Sequence, residues 1–111
     1  MSDDAADDAS DHPGGFAVLR DAYRDRLGPR LAVIAALWRS VRARGPDDAA
    51  TADLQDLVHR LAGSAGLYGF AAVGEAAAAL EKGLGAWVAG GVEAAAVDQL
   101  VQDLENAGAL D

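Results

Sequence analysis

The sequence of 111 residues contains no cysteine. Disulfide scaffolds, thiol catalysis, zinc fingers and iron–sulfur sites are therefore excluded. Two histidines are too few for a histidine-rich metal site. Aromatic residues make up only 5% of the chain, and β-branched residues are sparse. No segment alternates apolar and polar residues for long, and no Asn-Gly or Asp-Gly pair offers a hairpin turn, so strands are not expected. The longest apolar run, Leu31 to Trp38, falls far short of a membrane span. The N-terminus lacks the basic and apolar regions of a secretory signal. A cytoplasmic protein with no membrane association is the expectation.

Base is scarce as well: 9 Lys and Arg face 18 Asp and Glu, for a net charge of −9. Nucleic acid is an unsuitable partner, because its binding relies on Lys and Arg neutralising phosphates. The charge is unevenly placed. Asp3, Asp4, Asp7, Asp8 and Asp11 lie in the first fifteen residues, where there is no base. Eight of the nine bases lie between Arg20 and Arg60, a locally basic half able to steer an acidic protein.

What remains is alanine, leucine and glycine. Hydrophobic residues total 51%, much of it alanine, which favours helix. Residues 1–15 are Asp, Ala, Ser, Gly and Pro, without the apolar area to offset ordering entropy, and read as a disordered acidic tail. Residues 16–111 read as one all-α domain. Phe16, Leu19, Tyr23 and Leu27, then Leu31, Ile34, Leu37, Trp38 and Val41, recur at helical spacing with one face buried. Gly28-Pro29 interrupts this pattern and predicts either two helices or one kinked helix. Gly45-Pro46-Asp47-Asp48 marks a turn with N-cap candidates.

A helix follows from about Asp48 to Ala65 or Gly66, with the stripe Leu54, Leu57, Val58, Leu61 and Ala65. Another spans about Phe70 to Val88, with Phe70, Val73, Ala77, Leu80, Leu84 and Trp87 inward. The last runs from about Val92 to Asn106, burying Val97, Leu100, Val101 and Leu104. Leu67 is assigned to the core; Tyr68 is left unassigned. Short connections between such helices predict an antiparallel up-and-down four-helix bundle with an additional or kinked N-terminal helix.

His59 stands apart. On a wheel of about 100° per residue with Leu54 at zero, the apolar stripe stays within about 60° and His59 falls near 140°. The ring thus points off the core. Its helical neighbours at i+3, i+4 and i+7 are Ala62, Gly63 and Gly66, so nothing large stands beside it. A helical glycine costs about 1 kcal/mol relative to alanine, and in so alanine-rich a chain that points to close approach by another macromolecule or helix. Gly66 also reads as a C-cap. No second ligand sits at metal spacing beside His59. Ser64 lies away from it, and no acid is placed by the helical pattern to orient the ring, which argues against hydrolytic chemistry.

The segment His59-Arg60-Leu61-Ala62-Gly63-Ser64-Ala65-Gly66, with Leu80-Glu81 on the next helix, resembles the signature of histidine-containing phosphotransfer (HPt) domains. The likeness covers residues 16–108. It implies a helical bundle that accepts a phosphoryl group on His59 from a receiver-domain aspartyl phosphate and passes it to another receiver, in a bacterial multistep phosphorelay fed by a hybrid histidine kinase. Gly63 then resembles the glycine that lets the receiver close over the ring. The family's lysine, three residues after the histidine, is Ala62 here. Gln55, four residues before His59, is a candidate hydrogen-bond partner for a ring nitrogen or phosphate oxygen. Arg60 is a substitute cation about 100° round the helix, and Lys82 another; as surface residues both read equally as solvated charges, and Glu81 as an exposed helix acid.

The resemblance implies no cofactor on this chain, with magnesium expected on the partner receiver. It also implies a monomer. No Gly-x-x-x-x-Gly-Lys loop is present, so ATP chemistry is not expected. Two other readings remain open: an adaptor that binds or sequesters a receiver without phosphotransfer, and a dimerising kinase helix pair, which His59-Arg60 contradicts because that class opens His-Glu.

Overall fold

The computed structural model describes residues 13–110. The expected disordered tail falls mostly outside the described residues; its last three residues, 13–15, already belong to the first helix. Four helices account for the fold: α1 (Pro13–Arg44), α2 (Ala50–Ser64), α3 (Ala71–Val88) and α4 (Ala94–Leu110), with a 3₁₀ turn at Gly66–Tyr68. There is no strand among the described residues. Helix α1 packs on α2 and α4, and α3 packs on the same two, so neighbours in sequence are neighbours in space and α4 closes the square on α1.

The expectation at Gly28-Pro29 is corrected in one respect. Helix α1 runs unbroken through Pro29, with no additional helix among the described residues. Proline removes one helical hydrogen bond and crowds the preceding turn. Here Tyr23 and Leu27 before it, and Leu31 and Ile34 after it, are all buried on one face. Burial of such side chains contributes about 1.5–3 kcal/mol each, which outweighs a local defect of about 3 kcal/mol.

Glycines end the helices where the chain must turn. Gly45 (φ 104°), Gly69 (φ 89°) and Gly90 (φ 82°) take the left-handed conformation, which costs any other residue. At the start of α2 the Asp48 carboxylate accepts the Ala50 N–H at 2.8 Å, one of the donors a helix start leaves without a partner.

The core contains the expected stripes. Leu54, Val58, Leu61, Phe70, Val73, Ala77, Leu80, Leu84, Val97 and Leu104 are almost wholly inaccessible. Leu37, Leu57 and Leu100 are only partly buried at its edge. Trp38 meets Trp87 edge-on, centroids 4.8 Å apart, and its indole N–H donates to Asp98 at 2.8 Å.

Three assignments to the buried face are corrected. Phe16 (47% exposed), Leu19 (51%) and Leu67 (75%) face solvent. The 32 residues of α1 span about 48 Å, whereas helices of 15–18 residues span about 22–27 Å. Tyr23 already lies level with Ser64 and Tyr68, where α2 ends. Phe16 and Leu19 therefore continue the apolar stripe into a stretch with no opposing helix. Leu67 lies in the 3₁₀ turn, whose neighbour Tyr68 turns inward in its place. The helix ends differ modestly from expectation: α2 starts at Ala50, and α4 runs from Ala94 to Leu110.

Candidate phosphotransfer site

Helix α2 buries Leu54, Val58 and Leu61, which turns His59 to the opposite side. The imidazole is 70% exposed, as the helical wheel predicts. Its surroundings are bare in the C-terminal direction. A Cβ placed on Gly63 or Gly66 would have nothing within 4 Å, so no neighbouring helix among the described residues explains those two glycines. Gly66 is also not the left-handed cap; that position is Gly69.

Close helix packing uses a different glycine. A Cβ on Gly74 would sit 3.4 Å from the Gly66 backbone nitrogen and 3.9 Å from the Ala62 carbonyl oxygen. Gly74 thus admits the end of α2 close to the start of α3, aided by the small half-buried Ala62, Ala72 and Ala76.

That closeness brings in an acid. Glu81 of α3 reaches across, and its Oε2 lies 2.6 Å from His59 Nδ1. The expectation that no acid orients the ring is corrected: the partner comes from 22 residues away on the next helix, where no helical period of α2 could show it. A carboxylate only accepts hydrogen bonds, so Nδ1 carries the hydrogen. In the neutral ring Nε2 then keeps its lone pair and faces away from Glu81. Among the described residues no cluster of three His, Cys, Asp or Glu could hold a metal ion.

An exposed imidazole held by a carboxylate beside two uncrowded glycines, on a four-helix bundle, is the arrangement on which the comparisons bear. The model of the Hpt domain matches residues 18–109. The chain belongs to the Hpt domain family. No curated protein and no solved structure matches it. An Hpt domain has a histidine phosphotransfer role in phosphorelays, is a carrier without a kinase module, and interacts with receiver domains and histidine kinases.

The other residues singled out around His59 are dispersed. Arg60 turns away to pair with Asp56, Nη2 to Oδ2 at 2.6 Å. Gln55 is half-buried and makes no side-chain hydrogen bond to His59 among the described residues. Ala62 packs against the core edge, and Lys82 is exposed. Ser64, set aside as a nucleophile, bonds the Tyr23 hydroxyl at 2.7 Å. Tyr23 stacks on Tyr68, centroids 4.5 Å apart, and on Phe70 at 5.6 Å. This aromatic stack fastens the 3₁₀ turn to α1. Tyr23 and Phe70 fall on predicted core stripes; their partnership with Tyr68 and Ser64 had no signal in the sequence. No helix among the described residues is long and apolar enough to cross a membrane.

Proposed function

We propose that His59 is the phosphoryl acceptor of this Hpt domain, taking the group from a receiver's aspartyl phosphate and handing it to a second receiver. One observation carries the reading: an imidazole 70% open to solvent with Nδ1 fixed on Glu81. The Nε2 lone pair attacks phosphorus in line. An N–P bond forms, the acyl phosphate P–O bond breaks, and the electron pair leaves with the receiver's aspartate. The Nδ1 hydrogen stays against Glu81, whose charge offsets the positive charge that develops on the ring. Onward transfer is the same step reversed on another aspartate. Such loose transition states need positioning and charge stabilisation more than covalent assistance. The receiver supplies its own magnesium, and this chain supplies the nucleophile and the room to approach it. The uncrowded Gly63 and Gly66 support docking at that face.

A second reading, an adaptor that sequesters a receiver, draws on Ala62 and Arg60. With alanine in place of the family lysine and Arg60 held by Asp56, α2 brings no free cation to a phosphate on His59. One experiment separates the two. Incubation with a radiolabelled phospho-receiver transfers acid-labile, base-stable label to the wild-type chain, and His59→Gln abolishes labelling while receiver binding persists. A wild-type chain that binds the receiver but never takes label establishes the adaptor instead.

A further inference from the structure

A concave surface lies on the α1 side of α2. His59 meets Glu81 on the α3 side, whereas a half-open groove of about 520 Å³ opens between α1 and α2. Its size is that of a small-molecule site, typically about 300–1,000 Å³. Val33 and Leu57 form part of an apolar wall, and Val33 is 53% exposed. Arg26, Arg30 and Arg60 line it, and no acidic side chain does. In a chain with twice as many acids as bases, that is a marked local reversal of charge.

Two of the three guanidinium groups are free to bind. Arg60 is engaged by Asp56, but Arg26 and Arg30 have no carboxylate partner among the described residues. Arg30 is poised over the groove's inner end, its guanidinium 5.5 Å from the centroid of the Tyr23 ring. At that end the Tyr23 and Ser64 hydroxyls bond one another at 2.7 Å. Two hydroxyls carry two hydrogens, and one bond between them uses one. The other, on whichever hydroxyl accepts, is left to solvent or a ligand at the groove, where Ser64 is half-buried. Apolar wall, unpaired guanidinium groups and an unused hydroxyl hydrogen converge on one ligand chemistry.

We propose that this groove binds a small amphipathic organic anion: an aromatic or alkyl body along Val33 and Leu57, with its phosphate, sulfonate or carboxylate on Arg26, Arg30 and the Tyr23–Ser64 hydroxyl pair. The site is separate from His59, so its test does not depend on phosphotransfer. The probe is 1-naphthyl phosphate, titrated into the full chain by calorimetry and followed by amide chemical shifts. Saturable one-to-one binding is expected, with shifts gathered at Tyr23, Val33 and Ser64. Inorganic phosphate and uncharged 1-naphthol should each bind at least about tenfold more weakly, since each keeps only half of the contacts.

Arg26→Gln/Arg30→Gln should lower affinity by about tenfold or more, as charge-assisted hydrogen bonds are lost. Val33→Glu, at an exposed position outside the core, should do the same by repulsion, while Arg39→Gln, outside the groove, leaves binding unchanged. Circular dichroism establishes that each variant is folded. Absence of saturable binding, equal affinity in the arginine and Val33→Glu variants, or shifts gathered elsewhere overturns the proposal. So does an acidic peptide that saturates the groove when naphthyl phosphate does not, which would make the occupant a polypeptide.

Discussion

At the residue scale the site reduces to one hydrogen bond. Glu81 fixes which ring nitrogen of His59 carries hydrogen, and so which one would attack phosphorus in the transfer proposed above. Removing the carboxylate leaves the ring exposed but free to rotate and to exchange tautomers. Glu81→Ala is therefore expected to slow transfer from a phospho-receiver by about tenfold to a hundredfold, in line with the loss of one orienting group, without abolishing labelling. Nitrogen NMR of the imidazole should show the Nδ1–H tautomer losing its dominance in the variant. An unchanged tautomer ratio would remove Glu81 from the mechanism. Legibility was uneven at this scale. The outward direction of His59 follows from its angle to Leu54, Val58 and Leu61, a property of one helix. The pairing with Glu81 depends on how α2 and α3 are rotated against each other, which a single helix's periodicity does not encode.

At the element scale, Gly63 is where a stability effect and the proposed docking role can be told apart. It lies in the last turn of α2, and a methyl group placed there would have nothing within 4 Å. Gly63→Ala should stabilise the bundle by up to about 1 kcal/mol through helix propensity, seen as a higher midpoint of thermal unfolding. The same methyl should slow phosphotransfer by crowding the face a receiver approaches. A variant that is both more stable and equally fast would show that the bare patch has no docking role.

Helices α1 and α4 are joined by a different device. Asp98 accepts from the Trp38 indole at 2.8 Å and from Arg42 Nε at 3.0 Å. The Trp38 hydrogen bond is the largest influence and holds its carboxyl below the ordinary carboxylate range; burial opposes it, and the hydrogen bond and charge of Arg42 add smaller lowering effects. Trp38 is only 2% exposed, so Asp98→Ala leaves a buried N–H without its acceptor and should cost about 1–3 kcal/mol at neutral pH. A depressed native pKa means the unfolded state takes up the proton first. The stabilisation is therefore complete above the unfolded value of about 3.9 and is lost as pH falls through the lower native value. Urea unfolding of wild type and Asp98→Ala should show a gap that is constant at neutral pH and narrows below about pH 4. Trp38 was legible as a core residue from its spacing; its acceptor, 60 positions away, was not.

At the scale of the whole molecule, α1 outruns the bundle it belongs to, in a body measuring 58 × 26 × 20 Å. Phe16, Val18 and Leu19 are exposed, and from Phe16 onward the first buried residue of α1 is Tyr23. Amide hydrogen exchange should therefore be fast from the start of α1 and fall sharply near Tyr23, where the helix gains partners and opening requires the wider bundle to open. Uniform protection along all of α1 would mean that something covers Phe16 and Leu19 in solution. The overhang marks the limit of pattern reading. Phe16 and Leu19 keep the same spacing as Tyr23 and Leu27, yet burial also requires an opposing helix, and α2 ends too soon to provide one.

Local stretches of sequence were enough to set the helical class, the four apolar stripes, the turn glycines and the outward face of His59. Each of these is short-range: a period of about 3.6 residues or the backbone freedom of glycine is written into a few consecutive positions. Four outcomes waited on the folded chain: α1 passes intact through Pro29, Leu67 faces outward, Glu81 meets His59, and arginines gather over a groove between α1 and α2. These depend on helix lengths and relative rotations, which the packing of all four helices sets together.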